Sequence, residues 1–387
     1  MDTTDVLIVG GGPAGSTCAR VLRDLGIDVT VLDRSAFPRD KVCAGWITPQ
    51  VVETLALDLD DYRSRRTLQP IQAFRTGLIG ELPVGTRYDR PVSYGIRRSE
   101  FDHYLLERSG ARLRLGEPLA SMVREADSWR VNDSIHARVV IGAGGHFCPV
   151  ARQFGAQLGS GESVIAAQEF EYRLDARQAA ECAIDPERPE LYFCDDLKGY
   201  GWCLRKGDWL NVGLGREDKQ RLSSHVDAFC DWLKKEGRVP PDLPARFKGH
   251  AYLLYTQAPR PLVIDQGALL IGDAAGLAYA QSGEGIRPAI ESGVLAAEVV
   301  AGALGRVAGR LPPGALDAYG QQVEARFGRR SPQTPAVVPA PTPPTARWRA
   351  AVARRLLANR WFSRHVVIDR WFLHGQQPAL PSIARSR

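Results

Sequence analysis

Residues 6–34, VLIVGGGPAGSTCARVLRDLGIDVTVLDR, decide the fold of this chain. The apolar run 6–9 predicts a buried parallel strand, and the glycines that follow at positions 10, 12 and 15 form the pattern G-x-G-x-x-G. Helical spacing over 14–25 and a second apolar run over 27–32 complete a strand–helix–strand unit that ends on Asp33. Such a unit is typical of dinucleotide-binding folds.

Each part of this motif has a physical task. Gly10 permits a tight turn, Gly12 lets the backbone approach a pyrophosphate, and Gly15 lets the helix pack closely on the strand. The helix N-terminus then faces the phosphates. Asp33 lies 18 residues after Gly15 and can accept hydrogen bonds from ribose hydroxyls. Because a carboxylate repels a 2′-phosphate, we expect FAD or NAD rather than NADP.

The bulk composition narrows the class of protein. The chain has 387 residues, 44% hydrophobic and 24% charged, which is enough for two or three globular domains. No apolar run approaches the roughly 20 residues of a membrane helix, and the first strand begins too early to leave room for a signal peptide. Seven scattered cysteines without C-x-x-C and seven histidines without ligand spacing predict no disulfide and no metal site. We therefore expect a cytoplasmic protein.

The net charge of +6 is unevenly distributed. Residues 346–387 contain nine arginines and one acid, Asp369, and carry +8, so the rest of the chain is slightly acidic. The basic character therefore belongs to a tail, and we expect no nucleic-acid partner. Six prolines within 331–345 predict an extended linker before this tail.

A second motif follows the first unit, at Lys41-Val42-Cys43-Ala44-Gly45. This K-x-C-[GA]-G loop resembles the geranylgeranyl reductase family of FAD-dependent oxidoreductases, including its CbrA-like branch, which shares its architecture with aromatic hydroxylases and flavin-dependent halogenases. The resemblance places the loop beside the flavin ring, where Cys43 is the polarizable, titratable side chain. The alternative that Cys43 is a small packing residue stays open.

Two further segments extend the resemblance. Arg98, Phe101, Asp102 and Leu105 match an R-x-x-F-D-x-x-L element whose arginine contacts FAD, although a surface arginine at a helix start is the alternative. Many relatives have G-A-D-G where this chain has Gly144 in place of the acid. That departure leaves FAD binding expected and puts direct reduction by NADPH in doubt.

The stretch 262–301 resembles the second flavin motif of the family. An apolar strand runs into Gly272-Asp273, and Asp273 is implied to bond the ribityl hydroxyls. The turn over 283–285 would direct backbone N–H groups and a helix N-terminus toward the pyrimidine edge. With both motifs present, the expected cofactor is FAD. The predicted cofactor-binding residues are Gly10, Gly12, Pro13, Ala14, Gly15, Asp33, Arg34, Lys41, Val42, Cys43, Ala44, Arg98, Gly272, Asp273, Gly283, Gly285 and Ile286.

A β-hairpin is predicted over 200–214, around a turn at 206–208. It resembles the family pattern Y-G-W-x-F-P-K-G…N-V-G-x-G, and the halogenase motifs are missing. We expect Tyr200, Trp202 and Trp209 to line an apolar substrate tunnel. The alternative is that they are ordinary strand residues, since strands favour aromatic side chains.

The predicted architecture is α/β: a glutathione-reductase-like Rossmann FAD-binding domain with an inserted antiparallel β-sheet substrate domain and a helical C-terminal tail. We assign 1–50, 95–155 and 262–330 to the FAD-binding domain, 51–94 and 156–261 to the substrate domain, 331–345 to the linker and 346–387 to the basic tail.

The resemblance implies reduction of carbon–carbon double bonds in an apolar, isoprenoid-like substrate, with hydride from reduced FAD and Cys43 as the acid. One alternative is a monooxygenase that hydroxylates a small molecule, and another is a non-catalytic, FAD-containing protein of the membrane surface. The expected partners are the apolar substrate and an electron donor, either NAD(P)H or a protein reductant. Residues 346–374 are expected to form one or two helices that pack on the body or rest on an anionic membrane.

Overall fold

The computed structural model describes residues 1–156, 164–218, 221–244, 246–257, 260–264, 267–307, 309–330 and 351–383. The predicted linker over 331–345 lies outside the described residues. Across the described ranges the chain forms two large sheets and one small sheet. Within these ranges, every helix is too short or too polar to cross a bilayer.

The first sheet is built on the motif that opens the chain. Its strands are β1 (Asp2–Val9), β2 (Val29–Asp33), β8 (Arg112–Leu115), β9 (Met122–Arg124), β10 (Trp129–Val131), β11 (Ile135–Gly142), β17 (Val263–Ile264) and β18 (Ala268–Leu270). They pair in the order β17-β18-β11-β1-β2-β8, with β10 and β9 added beside β11. The pairs from β18 to β8 are parallel, and β1 and β2 are buried on both faces. Burial on both faces explains why their sequences are continuous apolar runs.

Helices cover this sheet and the segments that join it to the other sheets. They are α1 (Pro13–Asp24), α2 (Pro49–Thr54), α3 (Leu59–Arg65), α4 (Arg98–Glu107), α5 (Pro149–Gln153), α6 (Ala176–Glu181), α7 (Leu222–Lys235), α8 (Ile286–Leu304) and α9 (Asp317–Phe327). Helix α1 packs against α8 at Gly293, where an added Cβ would lie 2.6 Å from the Ala14 carbonyl oxygen. The close approach of these two backbones fixes the position of α1, the helix that begins at the glycine motif.

The second sheet is largely antiparallel. Its strands are β5 (Ala73–Leu78), β6 (Val84–Arg87), β12 (Ile165–Arg173), β13 (Glu190–Phe193), β14 (Gly199–Lys206), β15 (Trp209–Arg216) and β16 (Lys248–Tyr252), in the order β16-β12-β15-β14-β13-β5-β6. One face packs on α7 through an apolar cluster that includes Val212 and Phe229. The opposite face, called here the inner face, carries Glu169, Trp202 and Asn211 and points toward the first sheet.

A three-stranded antiparallel sheet lies between the two large ones. It consists of β3 (Trp46–Ile47), β4 (Leu68–Ile71) and β7 (Ser93–Ile96), in the order β3-β7-β4. The expected fold class, a Rossmann-type FAD-binding domain combined with an antiparallel sheet, is confirmed. The domain boundaries assigned from the sequence stay a prediction.

The tail is helical and wraps onto the body. A helix over 351–357 (α10) is followed by α11 (Arg360–Phe362) and a π-helical segment, Ser363–Phe372. Leu357, Ile368 and Phe372 are buried in one apolar cluster with Trp46 and Trp202. The tail therefore contributes to the core between the second and third sheets.

The contact at Gly293 gives a test of the fold. Gly293→Ala is expected to lower the free energy of unfolding by about 1–3 kcal/mol, because the new methyl group overlaps the Ala14 carbonyl. Gly302→Ala, in the same helix, has no atom within 4 Å of its Cβ and should gain up to about 1 kcal/mol from helix propensity. Urea unfolding of both variants measures the difference, and equal values would contradict the proposed packing.

Candidate functional site

A cleft of about 620 Å³ separates the carboxyl ends of β1 and β2 from the inner face of the second sheet. Its volume falls within the roughly 300–1,000 Å³ typical of cofactor and ligand sites. Seventeen of the predicted site residues line it: Gly10, Gly12, Pro13, Ala14, Asp33, Arg34, Lys41, Val42, Cys43, Ala44, Arg98, Tyr200, Trp202, Asp273, Gly283, Gly285 and Ile286. Gly15, Gly272 and Trp209 lie outside its lining.

The turn between β1 and α1 forms one end of the cleft. Gly10 has φ of +118°, which favours glycine, and a Cβ there would lie 2.3 Å from the Ala143 carbonyl oxygen. A Cβ on Gly15 would lie 1.9 Å from the Gly10 carbonyl oxygen, so Gly15 acts by packing rather than by facing the cleft. Gly12, the residue before α1, has only Arg39 Nη2 within 4 Å of its Cβ position, at 3.5 Å. Its backbone is therefore open to a ligand.

Asp33 is fixed at the end of β2 by two backbone donors. The Gly11 N–H donates to Asp33 Oδ2 at 2.7 Å, and the Ser35 N–H donates to Oδ1 at 2.8 Å. Each carboxylate oxygen keeps a further lone pair that can accept a hydroxyl proton. The arrangement presents a rigid acceptor beside the glycine turn, as a ribose requires.

The N-terminus of α8 forms the opposite end. Gly272 and Gly283 have φ of +59° and +69°, and a Cβ on Gly285 would lie 3.0 Å from Asp273 Oδ1. Asp273 faces His250, with 3.7 Å between Oδ2 and Nε2. The pKa of the Asp273 carboxyl lies below its ordinary value, because His250, Lys41 and Arg98 outweigh the effect of burial. The site thus holds a charged acceptor next to a helix N-terminus.

Side chains on the inner face of the second sheet fix the loop over 41–45 through hydrogen bonds. The Cys43 N–H donates to Glu169 Oε1 at 2.5 Å, and Asn211 Nδ2 donates to the Cys43 carbonyl at 3.3 Å. Lys206 Nζ, fully buried, donates to the Ala44 carbonyl at 2.9 Å and pairs with Glu171 Oε1 at 2.7 Å. Three inner-face side chains thereby fix the backbone on both sides of the Cys43 thiol, and Glu171 holds one of them, Lys206.

Burial raises the pKa of the Cys43 thiol above its ordinary value, and nearby Arg98 opposes that rise. Arg98 is itself held by Asp102, with Nε–Oδ1 and Nη2–Oδ2 distances of 2.7 and 2.8 Å. The thiol is therefore protonated at neutral pH and can act as a proton donor. Its protonation is consistent with the acid role expected from the sequence, a role that stays a prediction.

Lys41 occupies the cleft beside His250. Its Nζ lies 2.9 Å from Nδ1 and 3.0 Å from Nε2 of that ring. Burial lowers the pKa of Lys41 to about 8, and burial together with Lys41 lowers the pKa of His250. A modest rise in pH above neutrality therefore removes the ammonium charge of Lys41 from this end of the cleft.

Aromatic side chains of the inner face form an apolar wall. Tyr200 donates its hydroxyl to the Ser282 carbonyl at 2.5 Å, and Trp202 Nε1 donates to Asn211 Oδ1 at 2.7 Å. Phe372 of the tail packs edge-on against Tyr200, with 5.2 Å between ring centroids. Because the polar tips of Tyr200 and Trp202 already have partners, their rings are free to contact an apolar ligand.

Trp209 is not part of this wall. It shares the inner face with Trp202 but pairs with Lys206 at the far end of the hairpin. There the Arg97 guanidinium lies 3.5 Å from the centre of its ring. We therefore leave Trp209 out of the substrate set proposed from the sequence.

The tail packs against the segment that leads into α8. His374 stacks on Tyr279 at 3.6 Å between centroids, and the buried Arg287 donates to the carbonyls of Gln377 and Pro378 at 2.7 and 3.0 Å. Arg287 also pairs with Glu291 at 2.8 Å. These contacts tie the described tail to the first turns of α8.

Sequence reasoning missed several cleft residues. Glu169, His250 and Tyr252 come from β12 and β16, which carry no recognisable motif. Alternation along β12 places Glu169 and Glu171 on the face opposite Phe170. On a half-buried strand such acids are expected to face solvent, so the pattern gave no signal of a site.

The comparisons with known proteins agree with this geometry. A family model of the FAD binding domain matches residues 3–77. The chain is 30% identical over 358 residues to the menaquinone reductase of Mycobacterium tuberculosis, covering 83% of this chain and 81% of that protein. It is 26% identical over 321 residues to the digeranylgeranylglycerophospholipid reductase of Methanocaldococcus jannaschii, covering 78% of each.

Solved structures show the same fold. A geranylgeranyl bacteriochlorophyll reductase-like protein from Thermoplasma acidophilum superposes with a TM-score of 0.72 at 23% identity, over 99% of this chain and 94% of that one. The halogenase PltM in complex with FAD gives 0.65 at 17% identity, over 84% and 74%. The cofactor is FAD, as expected from the two motifs. The lining of the cleft suits this cofactor, since it offers open backbone at Gly12 and the carboxyl groups of Asp33 and Asp273 as hydrogen-bond acceptors.

Gly12→Val is expected to abolish FAD binding while leaving the apoprotein folded. The valine side chain would occupy space reserved for the pyrophosphate, yet its Cβ comes no closer than 3.5 Å to any described protein atom. Gly85→Val, on β6 with no atom within 4 Å of its Cβ, is the control and should keep the cofactor. Flavin absorbance of the purified variants is the measurement. A Gly12→Val protein that purifies with a full complement of FAD would refute the assignment.

Proposed function

The chain belongs to the geranylgeranyl reductase family of FAD-dependent oxidoreductases, and we propose that it reduces carbon–carbon double bonds of an apolar, isoprenoid-like substrate. The observation that carries the proposal is the position of Cys43, a protonated thiol that lines the FAD cleft together with the aromatic side chains of Tyr200 and Trp202. Reduction of an isolated double bond needs a hydride, a proton and an apolar surface, and this cleft brings together residues suited to each. The relatives named as reductases of menaquinone and of a digeranylgeranylglycerophospholipid support the same class of substrate.

The chain's own groups would hold the cofactor at both ends. When reduced, bound FAD would supply the hydride. The Gly10–Gly15 turn and the N-terminus of α1 would bind the pyrophosphate, and Asp33 would accept hydrogen bonds from the ribose. Asp273 would bind the ribityl chain, and the N-terminus of α8 would favour negative charge on the flavin ring.

The substrate is oriented by apolar contact. Tyr200, Trp202 and Trp46 line the cleft, and Phe372 packs behind Tyr200 and Trp46. This wall excludes water from the double bond and aligns an extended hydrocarbon chain beside Cys43. Cys43 Sγ–H then gives its proton to the carbon next to the one that receives the hydride.

The electron donor that reloads the flavin is NAD(P)H or a protein reductant. At Gly144, where relatives carry an acid, an added Cβ would lie 3.2 Å from both Cys148 Cα and Pro149 Cδ. The local packing therefore favours a residue without a side chain. The proposal needs a two-electron supply and does not depend on which donor provides it.

Cys43→Ser is expected to retain FAD and to slow substrate reduction by about 10²-fold, since a serine hydroxyl is a far weaker acid than a thiol. The assay mixes anaerobically photoreduced enzyme with menaquinone or a geranylgeranyl lipid and follows the gain of two hydrogens by mass spectrometry. Cys230→Ser, buried on α7 away from the cleft, is the control and should turn over normally. Unchanged turnover of Cys43→Ser at every pH would show that Cys43 has only a packing role. Substrate-dependent oxygen uptake with a hydroxylated product would instead establish a monooxygenase.

We also propose that the outer side of the tail rests on anionic lipid. Trp361 and Leu356 are 65% and 41% exposed, while the inner side of the tail is buried against the body. Arg354 lies 3.3 Å from Glu81, which brings α10 beside the fully exposed Leu82. Exposed arginines at 355, 360, 364 and 370 belong to the same segment of the tail as Leu356 and Trp361. Exposed apolar side chains interspersed with arginine are suited to an anionic membrane surface.

Leu356→Ala combined with Trp361→Ala should weaken sedimentation with anionic vesicles by at least about tenfold, because two apolar side chains no longer enter the interface. Leu113→Ala, also 41% exposed but on β8, is the matched control and should bind like the unmodified protein. Point variants are preferred to truncation, because Phe372 belongs to the core. If the intact protein ignores anionic vesicles at low salt, the tail is structural only.

A further inference from the structure

We propose that Glu169 and Cys43 act as one proton-donating pair, in which Glu169 replaces the proton that the Cys43 thiol gives to the substrate. This inference rests on the proposed function, because it concerns the same reduction. It assigns a role to a buried carboxyl group that the sequence motifs do not include.

The geometry of Glu169 is unusual for an acid on a β-strand. The residue is 5% exposed and lines the cleft. Its Oε1 accepts the Cys43 N–H at 2.5 Å, whereas its Oε2 is buried without a hydrogen-bond partner among the described residues. Because Oε1 accepts the Cys43 N–H, the proton of a neutral Glu169 carboxyl group would sit on Oε2. A buried Oε2 that carries a proton also avoids the cost of an unpaired buried charge.

The charges around Glu169 do not neutralise it. Lys206, on the neighbouring hairpin, is the nearest cation, but its ammonium already binds Glu171 at 2.7 Å and two backbone carbonyls. Lys248, opposite Glu169 on β16, is exposed and pairs with Asp40 at 2.7 Å. The carboxyl group is therefore left without an ion pair of its own.

Burial, with a smaller contribution from Glu171, raises the pKa of Glu169 to about 7, against the lowering effects of the Cys43 N–H, Lys206 and Asn211. Glu171, two residues along the same face, has a lowered pKa because Lys206 and Arg97 bind it. The two neighbouring acids thus differ in protonation near neutral pH. A donor whose pKa matches the working pH transfers and regains its proton most effectively.

The proton balance of the reduction is complete with this pair. One carbon of the double bond receives a hydride, with two electrons, from reduced FAD. The adjacent carbon forms its new C–H bond with the proton of Cys43 Sγ–H, which leaves a thiolate. The proton on Glu169 Oε2 passes to that thiolate, and the carboxylate regains a proton from water when product leaves.

Coupling between the two groups can be measured without substrate. The experiment follows alkylation of Cys43 by iodoacetamide in the FAD-bound protein, quantified by peptide mass spectrometry, since the other six cysteines are buried. The thiolate reacts, so the rate should rise about tenfold for each pH unit below the thiol pKa. As the pH passes about 7, ionised Glu169 raises the pKa of the thiol, and the rise should flatten.

Glu169→Gln keeps the oxygen that accepts the Cys43 N–H but cannot ionise. Its alkylation rate should rise without the inflection and exceed that of the unmodified protein by about tenfold above pH 8. Glu236→Gln, at the exposed C-terminal end of α7, is the control and should keep the inflection. Glu284, which also lines the cleft and has a pKa raised to about 7, and Lys41, with its pKa near 8, could produce a similar inflection. An inflection that survives in Glu169→Gln would assign it to one of them and overturn the proposal.

Turnover supplies the second measurement. Because only protonated Glu169 can donate, substrate reduction by the unmodified enzyme should be full below about pH 7 and fall above it. Glu169→Gln should retain FAD and turn over about 10²-fold more slowly. Its rate should not show the fall above about pH 7 that the unmodified enzyme shows. An unmodified protein that shows no inflection in alkylation refutes the pair even if Glu169→Gln fails to fold. If the inflection is present but no isoprenoid is reduced, the pair stands and the proposed function fails.

Discussion

The position of the reactive loop depends on one buried ammonium group, Lys206 Nζ. It joins three parts of the molecule: the Ala44 carbonyl of the loop, the Ile96 carbonyl of β7 and the Glu171 carboxylate of β12. Taking an ammonium group out of water costs several kcal/mol, so the arrangement persists only because every donor has an acceptor. Removing any one acceptor would leave a buried charge underbonded. The loop and the two sheets beside it are therefore constrained to move together.

The need to anchor the loop explains why polar side chains and an apolar wall coexist in one cleft. The outer face of the second sheet is apolar and packs on α7, whereas its inner face carries Glu169, Glu171, Lys206 and Asn211. Glu169, Lys206 and Asn211 bond the backbone of the loop, and Glu171 binds Lys206 and Arg97. The aromatic rings next to them remain available for an apolar ligand. The inner face of one sheet thus supplies both the rigid polar support and the apolar wall, and β14 contributes to each through Lys206 and Trp202.

Much of the fold could be predicted because its signals are local. The turn at Gly10, the strand–helix–strand unit and the hairpin over 200–214 depend on residues close in sequence. The remaining site residues could not be found in this way. In the sequence, Glu169 resembles a solvent-exposed acid on a strand, and only the pairing of β12 with β15 shows that it is on the inner face. Trp209 is also on the inner face, but at the end of its hairpin that lies away from the cleft. The π-helical segment of the tail has no sequence signal comparable to a cap or a glycine turn.

The joint between the first and second sheets has a thermodynamic consequence. The contacts that cross it at the cleft are mostly polar, such as Lys41 with His250, the Cys43 N–H with Glu169, and Tyr200 with the Ser282 carbonyl. Polar contacts of this kind add little net free energy, so a flavin bound between the sheets would strengthen their adhesion. A ligand bound only by the folded state adds about 2.7 kcal/mol at a concentration 100 times its Kd. The amount of this protein that survives degradation in a cell is therefore linked to the cell's supply of flavin.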